Sequence, residues 1–206
     1  MSRVRADDYE DKMQAILDAA AALFAKTGYP SAKMQDIATA CGATKSMLYH
    51  YFPTKDDLLF AMLDQHLQSV LKAVEQVMGE RGTAVQRLSS FVLAYAQKSA
   101  QSRRRHIIAM NDVKYLPADR QAPLLAMEVK IIDLVAALLH EVHPGLSKDF
   151  YTPYTMMLIG MLNWTDTWYR PGGKIKPQDL CERMARLFLH GFLAEATAPA
   201  GAALPS

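Results

Sequence analysis

Apolar residues recur at helical spacing along almost the whole chain. Met13, Ile16, Leu17, Ala20, Leu23 and Phe24 share one helical face. That pattern predicts a helix over 8–27, with Asp7, Asp8, Glu10 and Asp11 in its first turns, where negative charge suits the helix dipole. Gly28 and then Pro30 stop it. Two short helices are predicted next, over 33–40 and 44–50, split by the break Cys41-Gly42-Ala43. Thr44 suits an N-cap, and Thr54 with Asp57 resembles a capping box that opens a long helix over 55–78. Further helices are expected over 83–101, 103–114, 117–141, 148–169 and from Pro177 to about 195. Alternating stretches are too short for strands, so the fold is expected to be all-α. The organisation expected is a helix-turn-helix domain over 1–55, a helical domain over 56–196, and a disordered Ala/Pro/Gly-rich tail over 197–206.

Composition narrows the class. Half of the 206 residues are apolar and 21% are charged, enough for a substantial core. No apolar run approaches the roughly 20 residues of a membrane span, and no secretory leader is visible at the N-terminus. Cys41 and Cys181 form no metal or redox spacing, and His140 with His143 lacks the spacing of a zinc helix. The expectation is a reduced, cytoplasmic protein that is not an enzyme and uses neither cofactor nor metal. A net charge of +2 argues against a protein that coats DNA over its whole surface. The charge is unevenly placed, however. From Lys26 to Lys55 there are four lysines against one acid, Asp36, a local +3.

Two short helices with a glycine turn between them have the size of a helix-turn-helix. Ile37, Ala38, Leu48 and Phe52 would anchor the pair, leaving Lys45, Ser46, Met47, Tyr49 and His50 to face outward. Lys33 and Lys55 sit at helix starts, where backbone N–H groups and cations together can hold phosphate. Arg3 and Arg5 precede the expected first helix, as a DNA-reaching arm or as a solvated tail.

The stretch from Met34 through Leu59, MQDIATACGATKSMLYHYFPTKDDLL, resembles the DNA-binding domain of the tetracycline-repressor (TetR) family. Upstream, the run from Ile16 through Tyr29 is similar to that family's first helix, and the likeness covers about residues 10–65. The resemblance implies a homodimeric transcription factor, usually a repressor released by a small molecule, that binds a palindromic double-stranded operator. It implies DNA contacts for Thr44, Lys45 and Tyr49, backbone packing for His50, and a phosphate contact for Lys55. Ser46 and Met47 fall at positions that vary in the family. Met47 could meet a thymine methyl but cannot hydrogen-bond a guanine.

The resemblance fades after about residue 65, and physical reading carries the rest. Tyr154, Met157, Met161, Trp164 and Trp168 make a stripe of large, adaptable side chains, suited to an apolar ligand or to ordinary core packing. Met110 is a further candidate for the ligand site. Leu158, Ile159 and Leu162, with Leu180, Met184, Leu187, Phe188 and Phe192 on the last helix, form apolar faces that are expected to build a four-helix dimer interface. The segment from Asn163 to Lys174 is similar to one in family members that respond to acyl-coenzyme A thioesters. Arg103, Arg104 and Arg170 would suit its phosphates and adenine, although a solvated helix start or loop is the simpler account of the arginine run. Two alternatives remain: a neutral lipophilic or aromatic effector, and an all-α dimeric interaction protein without specific DNA binding.

Overall fold

The structure, a computed structural model, describes residues 2–170 and 172–195, with side chains from Tyr9 onward. The expected disordered tail and Pro171 lie outside the described residues. Among the described residues there are nine α-helices and no strand. They are α1 (Ser2–Thr27), α2 (Met34–Ala40), α3 (Lys45–Tyr51), α4 (Lys55–Met78), α5 (Ala84–Gln101), α6 (Arg103–Asp112), α7 (Ala118–Val142), α8 (Tyr151–Trp168) and α9 (Pro177–Ala194). Short 3-10 turns precede α7 and α8. None of the described helices is long and apolar enough to cross a membrane.

The local signals act as their chemistry requires. Gly28 and Gly42 take φ of +78° and +66°, a region that residues with a Cβ avoid. Thr44 Oγ1 accepts the Met47 N–H at 3.1 Å and caps α3. At the start of α4, Asp57 Oδ2 accepts the Thr54 N–H at 3.1 Å, while Thr54 Oγ1 accepts the Asp57 N–H at 3.0 Å. Helix α1 departs from expectation. It begins at Ser2, so Arg3 and Arg5 belong to its first turn, not to an arm. The acids Asp7 to Asp11 consequently fall beyond that turn, where the dipole is weaker.

The chain forms two compact units. The first comprises Met1–Gln68 and Ser102–Ala126; the second comprises Ser69–Gln101 and Met127–Ser206. Helices α4 and α7 therefore each contribute to both. This division differs from a boundary near residue 55, because α6 and the start of α7 group with the N-terminal helices. In the first unit Ile16, Leu17, Phe24, Ile37, Leu48, Leu58, Leu59 and Met62 are buried. In the second, Phe91, Val135, Leu138, Tyr151, Leu158, Leu162, Met184 and Phe192 belong to a single core.

Candidate nucleic-acid interface and effector unit

Leu48 is fully buried and fixes α3 by its inner face. The outer face is then set by helical spacing. Thr44, Lys45, Ser46, Tyr49 and His50 are exposed, and Met47 is half-buried. Lys45 lies over the Tyr49 ring at 5.9 Å, so cation and aromatic form one surface. Lys33, the residue before α2, is exposed as well. Tyr51 turns the other way and stacks on Tyr9 of α1 at 4.6 Å. The expected anchors Ile37, Ala38, Leu48 and Phe52 are all buried, and of the residues expected to face outward only Met47 is not fully exposed.

Lys55 is placed differently from the phosphate contact the resemblance implied. Its ammonium donates to the carbonyl oxygens of Tyr29 at 2.9 Å, Pro30 at 3.2 Å and Ala32 at 3.2 Å. An ammonium has three N–H groups, and these bonds use all of them. The same cation lies 4.4 Å over the Tyr29 ring. Lys55 therefore caps the turn after α1 and ties it to α4.

Other polar ties in the first unit have no local sequence signal. Arg105 is buried and pairs through Nη2 with Asp18 at 2.7 Å, while its other arm donates to Gln65. Gln65 also donates to Gln14 at 3.1 Å, so α1, α4 and α6 share one network. Beside it, His66 and His106 are buried with ring nitrogens 3.1 Å apart. Burial above all, then the charges of His106 and Arg105, lowers the His66 pKa to about 4. Arg120 of α7 pairs with Asp57 Oδ1 at 2.7 Å, so the capping carboxylate of α4 serves two partners. The Tyr29 hydroxyl donates to Asp56, and the Tyr29 ring stacks on Tyr115. Burial foremost, with that hydrogen bond, raises the Tyr29 pKa.

In the second unit several expectations need correction. Leu158, Ile159, Leu162, Met184 and Phe192, expected at a dimer interface, are buried in the chain's own core. Leu180 and Phe188 are half-buried against that core. Of the expected interface residues only Leu187 is exposed, at 71%. The stripe expected to line a pocket divides as well. Met157, Trp164 and Trp168 are surface residues, exposed by 62%, 67% and 50%. Tyr154 and Met161 pack partly on the core, and the Tyr154 ring meets Phe192 edge-on at 5.0 Å. Helix α8 is apolar on several faces, so composition alone could not tell inner from outer. Met110, Arg103, Arg104 and Arg170 are exposed; Arg170 donates to the Tyr169 carbonyl at 3.2 Å. An open groove of about 420 Å³ lies between α5 and α9, lined by residues that include Ser89, Leu93, Cys181 and Arg186.

A capped α3 with an exposed cationic and aromatic face, in a chain that also has a second helical unit with its own core, defines a helix-turn-helix regulator class. Comparison with known proteins agrees. Residues 16–62 match the family model "Bacterial regulatory proteins, tetR family", and residues 81–192 match "Tetracyclin repressor-like, C-terminal domain". The chain belongs to the TetR family of bacterial transcriptional regulators. A TetR-family regulator from Bordetella parapertussis is 35% identical, with 88% of this chain and 96% of that one covered and a TM-score of 0.83. The transcriptional repressor KstR2 of Mycobacterium tuberculosis is 22% identical over 87% of this chain and 92% of its own. AibR, solved with isovaleryl coenzyme A and operator DNA, has the same fold at 24% identity, with a TM-score of 0.74 and 88% and 98% of the chains covered.

Proposed function

We propose that this TetR-family regulator is a cytoplasmic repressor that binds a palindromic operator as a homodimer and leaves it when a small molecule binds. The observation that carries the reading is the exposed Lys45–Tyr49 surface on a helix anchored by Leu48. In this reading Thr44, Lys45, Ser46, Met47, Tyr49, His50 and Lys33 meet DNA, and Lys55 supports them from inside. Two heads of a dimer must sit about 34–36 Å apart to enter successive major grooves. The dimer forms through the outer faces of α8 and α9. Met157, Trp164, Trp168 and Leu187 are large apolar side chains left exposed there, and a second copy would bury them.

The effector favoured is an acyl-CoA thioester, on the likeness of the Asn163–Lys174 segment to acyl-CoA-responsive members and on the solved complex of AibR, which shares the fold. Arg103, Arg104 and Arg170 are the cations that this reading assigns to its phosphates. A neutral lipophilic effector is the second reading, because Arg105 of the same run is committed to Asp18. Replacing Arg103, Arg104 and Arg170 by alanine abolishes an acyl-CoA response and spares a neutral one. Fluorescence anisotropy on an operator fragment tests the DNA reading. Lys45→Ala with Tyr49→Ala lowers affinity by on the order of 100-fold while the circular dichroism spectrum stays unchanged. Unchanged affinity in the double variant contradicts it and favours a protein-interaction role for the short helices.

A further inference from the structure

Helix α9 presents two neighbouring strips to the groove it forms with α5. Cys181, Ala185 and Leu189 recur every four residues and are buried. Glu182 and Arg186 stand one position further on in each turn and are exposed. Ser90 and Leu93 of α5, both half-buried, stand in the opposite wall. The groove therefore has an apolar floor and a charged rim. Its volume of about 420 Å³ falls within the range of small-molecule sites, about 300–1,000 Å³. Burial above all raises the Cys181 thiol pKa, so the floor carries no charge of its own.

The polar groups of the groove are open to a ligand. A glutamate four residues before an arginine is the favoured order for an ion pair along a helix. Glu182 and Arg186 have that spacing, yet they do not pair. Glu182 Oε1 accepts from Gln178 Nε2 at 3.2 Å, one turn back along α9. Among the described residues nothing bonds to the Arg186 guanidinium or to the Ser90 hydroxyl. Ser89, in contrast, donates to the Val85 carbonyl of its own helix at 3.2 Å. The groove thus offers a free guanidinium fork, a free hydroxyl and a carboxylate with acceptor capacity left. A ligand carboxylate suits the Arg186 fork, with Ser90 as a further donor. Glu182 beside it repels a simple anion and attracts an ammonium, and Arg186 does the reverse to a simple cation. A molecule that carries both charges close together on an apolar body is complementary to floor and rim alike.

We propose that this groove binds an α-amino acid with an apolar side chain. Its carboxylate meets Arg186 and Ser90, its ammonium meets Glu182, and its side chain lies over Leu93, Ala185 and Leu189. The site stands apart from the acyl-CoA reading, because Arg103, Arg104 and Arg170 do not line the groove. Calorimetric titration of the full chain with L-leucine and two matched analogues tests it. 4-Methylpentanoate is leucine without its ammonium, and 3-methylbutylamine is leucine without its carboxylate. Leucine binds at least about tenfold tighter than either, since a site built to bond a polar group rejects an analogue that lacks it. Glycine, which has no apolar body, binds more weakly than leucine. Arg186→Gln brings leucine down toward the affinity of 3-methylbutylamine, and Glu182→Gln brings it down toward that of 4-methylpentanoate. Both side chains are exposed, so the circular dichroism spectrum and the melting temperature of these variants stay unchanged. A chain that does not bind leucine overturns the proposal. So does equal affinity for leucine and either analogue, or a leucine affinity that stays the same in either variant.

Discussion

Both units bury apolar cores, and they differ in the polar ties added to them. In the first, named polar ties join helices distant in sequence: Arg105 to Asp18, Arg120 to Asp57, and Lys55 to three carbonyls after α1. In the second, α4, α5, α7, α8 and α9 share one apolar core, and the ion pairs Arg87–Glu141 and Lys130–Glu75 lie at its surface. Ion pairs have geometry, titrate with pH and are screened by salt, whereas apolar packing has no charge to titrate or screen. A reading head must present α3 in one orientation, which directional ties provide. An effector unit must enclose apolar surface, which a large core provides.

Substitutions can break that contrast. The largest effect is expected in the second unit, where Phe91→Ala empties a fully buried site and costs about 3–5 kcal/mol in denaturant unfolding. Next comes His66 in the first unit. Its folded pKa of about 4 lies below its ordinary 6.5, so the unfolded chain binds more protons between these values. Its contribution is full above pH 6.5 and fades as pH falls toward 4, by roughly 3 kcal/mol at the limit. His66→Gln flattens that part of the stability profile; a profile that stays steep contradicts the assignment. Arg105→Ala follows, at about 1–2 kcal/mol, because the Asp18 it leaves is exposed and rehydrates. Lys130→Ala changes stability least, by less than about 0.5 kcal/mol, since its pair with Glu75 is exposed.

The sequence carried some of this and not the rest, for physical reasons. Caps and glycine turns act over three or four residues, so Thr44, Asp57, Gly28 and Gly42 were readable where they stand. The outward side of α3 followed from the anchors Ile37, Ala38, Leu48 and Phe52. Arg105 and Asp18 are 87 positions apart, and no spacing rule joins them. In the arginine run all three residues look alike; only the fold turns Arg105 inward and leaves Arg103 and Arg104 outward. In α8 nearly every face is apolar, so Leu158 and Trp164 could not be assigned to inside and outside until neighbouring helices were placed.

The central claim is that the lysines of the reading head divide between holding the head and reaching DNA. The salt dependence of operator binding tests this most directly, because its slope counts the phosphates neutralised. Lys45→Ala should make the slope shallower by about one contact per protomer and leave the melting temperature unchanged. Lys55→Ala should lower the melting temperature, since it leaves the carbonyls of Tyr29, Pro30 and Ala32 without their donor, and should keep the slope. A Lys55→Ala protein that melts normally but loses as much slope as Lys45→Ala would contradict the account.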